Sequence, residues 1–252
     1  MRIRNVVAAV AAAAMPLASL ALAGSASAAT PSCTVGISSS TFFNCLTPFN
    51  EEFGTDYVFD VYHARARVGQ PVILFKNSTH DAAEDFSYYF DGTVDDFYSL
   101  GLVSAGVELR YSGDFAFEVE YTPYGHPSNL CMGVPFTAGR GTPVVLEPCG
   151  SSSKVVWIAD DAESNCPATG NGLPDGYVPV INGSDTNFSH PYVLNYPGNG
   201  VAPWDRPRPM LTTDNLSIYS DGTVYDNQMW GLTYSGPQQA FPPPCSPFFG
   251  QV

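Results

Sequence analysis

GTPVVL (141–146) and GQPVIL (69–74) carry Gly, Pro, Val and Leu at matching places, 72 residues apart. A second match lies at a different offset. FSYYFDGTVDDFYSLGL (86–102) and LSIYSDGTVYDNQMWGL (216–232) align without gaps at nine identities in 17. Such self-similarity marks units that cannot bury an apolar face alone and must pack on their neighbours. The first copy matches the second through G-x-P-V-x-L and the third through D-G-T-V. Three copies are therefore expected, with D-G-T-V read as the closing hairpin of each.

The rest of the chain fits short strands. YVFDVYH (57–63), PVILF (71–75), FSYYF (86–90), VELRY (107–111), FEVEYT (117–122), PVVLE (143–147), VVWIA (155–159), YVPVI (177–181), YVLNY (192–196) and NLSIYS (215–220) are rich in β-branched and aromatic residues. Turn residues punctuate them, among them Asp91-Gly92, Asn199-Gly200 and Asp221-Gly222. No later run carries apolar residues at helical spacing over a useful length, so no helix is expected. Ten or more short strands suit a sandwich or a barrel. The threefold repeat selects an all-β β-trefoil of three four-stranded units, 12 strands in all, with a β-sandwich as the alternative.

The first 28 residues read as a secretory signal peptide: MRIR, then VVAAVAAAAMPLASLALAG, then Ala26-Ser27-Ala28 as a cleavage site. The mature chain from Ala29 is expected to be secreted. Without Arg2 and Arg4 it holds 8 basic and 24 acidic residues, net −16. Nucleic acid and anionic membranes would be repelled. The cysteines at 33, 45, 131, 149, 166 and 245 are even in number, which in an exported chain reads as disulfides. They contain no C-x-x-C, so a structural zinc site is not expected.

The segment NLCMGVPFTAGRGTPVVLEPCGSSSKVVWIAD (129–160) resembles a repeat of the ricin-type lectin family. That pattern runs Cys-Leu, loop, G-T-x-V-x-L, a second Cys and Gln-x-Trp; Cys131-Met132, Gly141–Leu146, Cys149 and Trp157 stand at those places in order. The resemblance implies a Cys131–Cys149 disulfide. Cys33–Cys45 and Cys166–Cys245 would follow by elimination and proximity. The expected organisation is an N-terminal arm (29–56), units of about 57–105, 106–165 and 166–235, and a Pro-rich tail (236–252).

The resemblance also implies sugar binding, through an Asp after Cys-Leu, an aromatic platform and the Gln of Gln-x-Trp. The second unit has Gly133 and Val155 at the Asp and Gln positions and reads as a structural copy. The first unit offers Asp60 and Glu84, with Tyr62 and Phe75 as platforms. Carboxylates accept hydrogen bonds from sugar hydroxyls, while aromatic faces stack on ring C–H groups. The competing reading makes Asp60 and Glu84 solvated turn residues. The third unit offers Asn195, Tyr196 and Trp204, the last two in a Pro-stiffened loop (195–209). Gln228-Met229-Trp230 is a literal Gln-x-Trp, but it follows D-G-T-V. The repeat register instead equates Asp214-Asn215-Leu216 with that motif, and Trp230 reads as core.

No G-x-S-x-G or H-E-x-x-H is present, and no catalytic residue, cofactor or metal is assigned. Calcium at Asp91–Asp96 or Asn171–Asp175 lacks any recognised ligand spacing. The expected function is secreted, non-catalytic recognition of a carbohydrate. The main alternative is a protein-binding module such as a hydrolase inhibitor, presenting the loop 195–209. A glycoside-active enzyme is the third option; it would need two convergent acids with shifted pKa in one cleft.

Overall fold

The computed structural model describes residues 46–50, 52, 54–76, 81–160, 177–198 and 210–234. The strands are β1 (Leu46–Asn50), β2 (Gly54–Val61), β3 (Val72–Lys76), β4 (Phe86–Thr93), β5 (Phe115–Tyr121), β6 (Leu130–Gly133), β7 (Thr142–Pro143), β8 (Val145–Pro148), β9 (Trp157–Ala159), β10 (Val178–Asn182), β11 (Tyr192–Asn195), β12 (Thr212–Asn215) and β13 (Met229–Tyr234). Two short helices, α1 (Val94–Ser99) and α2 (Ala105–Tyr111), lie between β4 and β5. Among the described residues no helix is long and apolar enough to cross a membrane.

Six strands pair in a closed antiparallel ring: β1 with β4, β4 with β5, β5 with β9, β9 with β10, β10 with β13, and β13 back to β1. Closure removes the free edges that an open sheet exposes. Three hairpins cap this barrel: β2–β3, β6–β8 and β11–β12. They meet on an axis of approximate threefold symmetry. Val72 N–H donates to Val144 O (3.0 Å), Val144 N–H to Leu211 O (2.8 Å), and Leu211 N–H to Val72 O (3.0 Å). A cyclic triangle of equivalent bonds at equivalent positions is the signature of a β-trefoil. The sandwich alternative is excluded by the closed ring. Counting the broken β7/β8 as one, each unit holds four strands, beginning at β1, β5 and β10.

The core repeats with the same period. Trp157 Nε1 donates to Met132 O (2.9 Å) and Trp230 Nε1 to Leu194 O (2.8 Å). Phe86 fills the third place and meets Phe59 edge-on at 6.2 Å. Phe86, Trp157 and Trp230 lie with Val72, Val144 and Leu211 in one buried cluster. Each of the three aromatics follows a 3-10 turn: Ala82–Glu84, Ser153–Val155 and Asp226–Gln228. Asn50 and Asn182, opposite Trp230 and Trp157, lock those turns. Asn182 Nδ2 donates to Lys154 O (3.0 Å) and Val156 O (3.3 Å); Asn50 Nδ2 donates to Asp226 O and Met229 O (both 3.1 Å). Tyr121 stands in the equivalent place opposite Phe86.

Several sequence expectations are corrected by this geometry. G-x-P-V-x-L is a true structural repeat, because Val72 and Val144 both sit on the axis. D-G-T-V is not. Its first copy ends β4 and turns into α1, where Thr93 Oγ1 and Asp96 form a reciprocal helix cap. Its second copy is a small hairpin ahead of β13, closed by Tyr219 N–H to Thr223 O (2.7 Å). The Gln-x-Trp register shifts with it: Glu84, Val155 and Gln228 are the equivalent residues, not Asp214. Trp230 is a core residue, 2% exposed.

VELRY belongs to helix α2 rather than to a strand. Helices of six and seven residues are too short to show a 3.6-residue period, although Thr93-x-x-Asp96 carried the capping signal of α1. Val94, Phe97, Val107 and Tyr111 of the helices pack outside the barrel on Ala116, Val156 and Ile158. Strand β1 falls inside the segment read as an arm and closes the barrel. The Cys131–Cys149 disulfide is present and joins β6 to the end of β8. The other four cysteines lie outside the described residues.

Candidate functional site

The first unit gathers its acids in one place. β2 and β3 pair with Asp60 opposite Ile73, so Phe75, two residues on, shares the face of Asp60. The chain leaves β2 through a 3-10 turn at Tyr62–Ala64 and returns through Gln70. Gln70 is buried, donates to Tyr62 O, and accepts from Arg67 Nε at 2.8 Å. After β3 the chain re-enters at Asp81, whose Oδ1 caps the next turn by accepting from Ala83 N–H (3.0 Å). That turn delivers Glu84. One carboxylate oxygen each of Asp60, Asp81 and Glu84 lies within 4.8 Å of the other two. Asp60 is 3% exposed and Glu84 2%.

A fourth acid borders them. Asp85 Oδ2 accepts from Tyr124 N–H at 2.7 Å. Burial pushes its carboxyl up to about 6, partly offset by that N–H donor and reinforced by the charge of Asp81. Tyr121 is fully buried behind the group, and burial followed by the charges of Asp85, Asp60 and Asp81 drives its phenol upward. The rim is aromatic. Tyr62 and Phe75 are half-buried, Tyr124 is exposed, and the Tyr62 ring lies 3.9 Å from that of His63. His63, Ala64 and Tyr124 have positive φ (62°, 51° and 55°). Left-handed backbone at non-glycine residues is costly and concentrates where structure holds a site in shape.

The other units lack this arrangement. At Gly133 a Cβ would lie 2.8 Å from both Lys154 O and Val155 Cγ1. The second unit's Asp position is therefore closed to any side chain. In the third unit Asn195 Oδ1 accepts from Asn227 Nδ2 (3.0 Å). Gln228 is spent internally, accepting from Ser217 N–H (2.7 Å) and donating to Asn215 O (2.8 Å). Tyr196 is not an open platform: it is 1% exposed, within the core, with Gly198 folded against its ring. Trp204 lies outside the described residues, as does most of the loop 195–209.

The structure thus brings together Asp60, Glu84, Tyr62 and Phe75, and separates them from Asn195 and Tyr196. Asp81 and Asp85 were missed. Their signal was present as Asp-x-x-Glu-Asp (81–85), but it was indistinguishable from the many surface acids of this chain. Of the segment 91–96 considered for calcium, Asp96 Oδ2 accepts from Thr93 N–H and Oγ1 (both 2.8 Å), and Asp95 accepts from Ser112 Oγ (2.9 Å). Residues 171–175 lie outside the described residues.

No protein-family model matches the chain, and no curated protein sequence does. Among solved structures it is similar to ThreeFoil, a designed threefold-symmetric protein, at 16% identity and TM-score 0.45, covering 74% of this chain and 96% of that one. It is similar to a mosquitocidal holotoxin at 12% identity and TM-score 0.45, covering 77% of this chain and 17% of the toxin. It is also similar to an exo-β-1,3-galactanase from Clostridium thermocellum at 12% identity and TM-score 0.44, covering 75% of this chain and 30% of the enzyme. The chain therefore spans under a third of the length of the toxin and the galactanase.

Proposed function

We propose that the protein is a secreted, non-catalytic carbohydrate-binding module that works through its first unit. The observation carrying this reading is the convergence of Asp60 and Glu84, from separate elements, at one buried spot beside Phe75. These are the positions that the ricin-type resemblance assigns to sugar contact. Paired carboxylates accept from neighbouring hydroxyls, and a half-buried aromatic face takes the ring C–H groups. Secretion is supported by the signal-peptide pattern of the first 28 residues. The strong negative charge disfavours nucleic acid and anionic membranes as partners.

The test is binding of the mature protein to a broad panel of glycans and polysaccharides, beside Asp60→Ala and Asn195→Ala. Saturable binding that Asp60→Ala weakens about tenfold to a hundredfold supports the reading, since hydrogen bonds to a charged group are worth about 1.5–3 kcal/mol. Asn195→Ala should leave it unchanged. A silent panel from folded protein overturns it.

A further inference from the structure

We propose that Asp60, Asp81 and Glu84 form a site for a divalent cation of the calcium class. One oxygen from each converges within 4.8 Å of the others from three different places in the first unit: strand β2, the cap of a 3-10 turn, and the end of that turn. Two of the three, Asp60 and Glu84, are buried, so the spot gathers several oxygen donors away from solvent. Carboxylate oxygens are the donors that a hard cation such as calcium prefers.

A second, independent feature faces the same spot. Tyr121 is fully buried and its hydroxyl has no hydrogen-bond partner. Buried donors are almost always satisfied, so an orphan one calls for an absent group. Its direction follows from the threefold symmetry. Asn50 and Asn182, at the equivalent places, aim their side chains at the 3-10 turns that precede the aromatics opposite them. Tyr121 stands opposite Phe86 and is aimed at the turn that carries Glu84, where the charges of Asp85, Asp60 and Asp81 reach its hydroxyl. A water bound to the cation would donate to that hydroxyl oxygen and give it a partner. The other two units have no such acid group at this place: Gly133 and Val155 stand in one, Asn195 and Gln228 in the other.

This deepens the carbohydrate reading and rests on it only for the step in which the cation also meets sugar hydroxyls. The cation site itself is tested without sugar. Calorimetric titration of the mature protein with calcium chloride should give saturable one-to-one binding. Asp60→Asn and Glu84→Gln should weaken it at least about tenfold, since even residues behind the ligands cost that much. Glu108→Gln, an acid outside the cluster, should leave it unchanged. Terbium gives a readout in the unaltered chain: its luminescence should be sensitised by the adjacent tyrosines and fall in Tyr121→Phe, which keeps every carboxylate. Absence of saturable heat in the wild type, or wild-type affinity in both carboxamide variants, overturns the site. Calcium binding with a silent glycan panel defeats only the sugar reading. Glycan binding without calcium heat defeats only the cation site.

Discussion

Asp85 is where the chemistry of a single residue shows most plainly. Its carboxyl sits at about 6 in the folded chain against 3.8 in the open one, because burial disfavours the charged form. Between those values the folded state holds a proton that the unfolded state has released. Stability from this group is therefore greatest below about pH 4 and falls as pH rises through 6, by on the order of 2–3 kcal/mol. Glu118 and Glu120 are raised by burial too and act in the same direction. The urea midpoint should rise on acidification from pH 7 to pH 5. Asp85→Asn, whose amide oxygen still accepts from Tyr124 N–H, should flatten that rise; an unchanged slope would show that Asp85 does not carry it. Nothing in the sequence at Asp85 separated it from the other acids. Its burial comes from β5 and the turn at Pro123–Gly125, about 40 positions further along the chain.

At the scale of elements, the repeated device is an amide beside an aromatic. Asn182 is fully buried and uses both ends of its side chain, donating to Lys154 O and Val156 O and accepting from Ser184 N–H and Oγ. It holds the turn Ser153–Val155 in place, and with it the entry of Trp157 into the core. Asn182→Ala would strand those carbonyls away from water, at a cost of about 2–3 kcal/mol, measurable as a lower denaturation midpoint. An effect below about half a kcal/mol would mean that the turn holds itself. The strands were legible because β-branched and aromatic residues cluster in them. The helices were not, because six or seven residues give no period to read. Their formation depends on an external surface, Ala116, Val156 and Ile158, that covers their apolar side.

For the whole molecule, closure is decisive. β1 pairs with β13 along its full length and also with β2 and β4, so it is the seam of the barrel. A chain starting at residue 57 keeps all three cap hairpins yet leaves β13 and β4 with open edges. It should fail to give a cooperative unfolding transition, whereas a chain starting ahead of Leu46 should give one. Cooperative unfolding of the shorter chain would show that the ring does not need its first strand. The internal repeat pointed to threefold architecture through G-x-P-V-x-L, where Val72 and Val144 must meet at one axis. The longer D-G-T-V match pointed to the same architecture from two places that are not equivalent.

By itself the sequence determined the strand-rich class through local composition and the threefold plan through the match between copies, while the Cys131–Cys149 link was implied by the ricin-type resemblance. It also marked Asp60 and Glu84, at the positions where the ricin-type resemblance places sugar contact. Only the tertiary structure decided that Gln228, not Asp214, matches Glu84, that Tyr196 is core, that Asp81 converges on Asp60 and Glu84, and that Asp85 is buried beside them. Those outcomes depend on which strands become neighbours when the barrel closes. Burial, repulsion between charges and the direction of a side chain are properties of that closure rather than of any single stretch of chain.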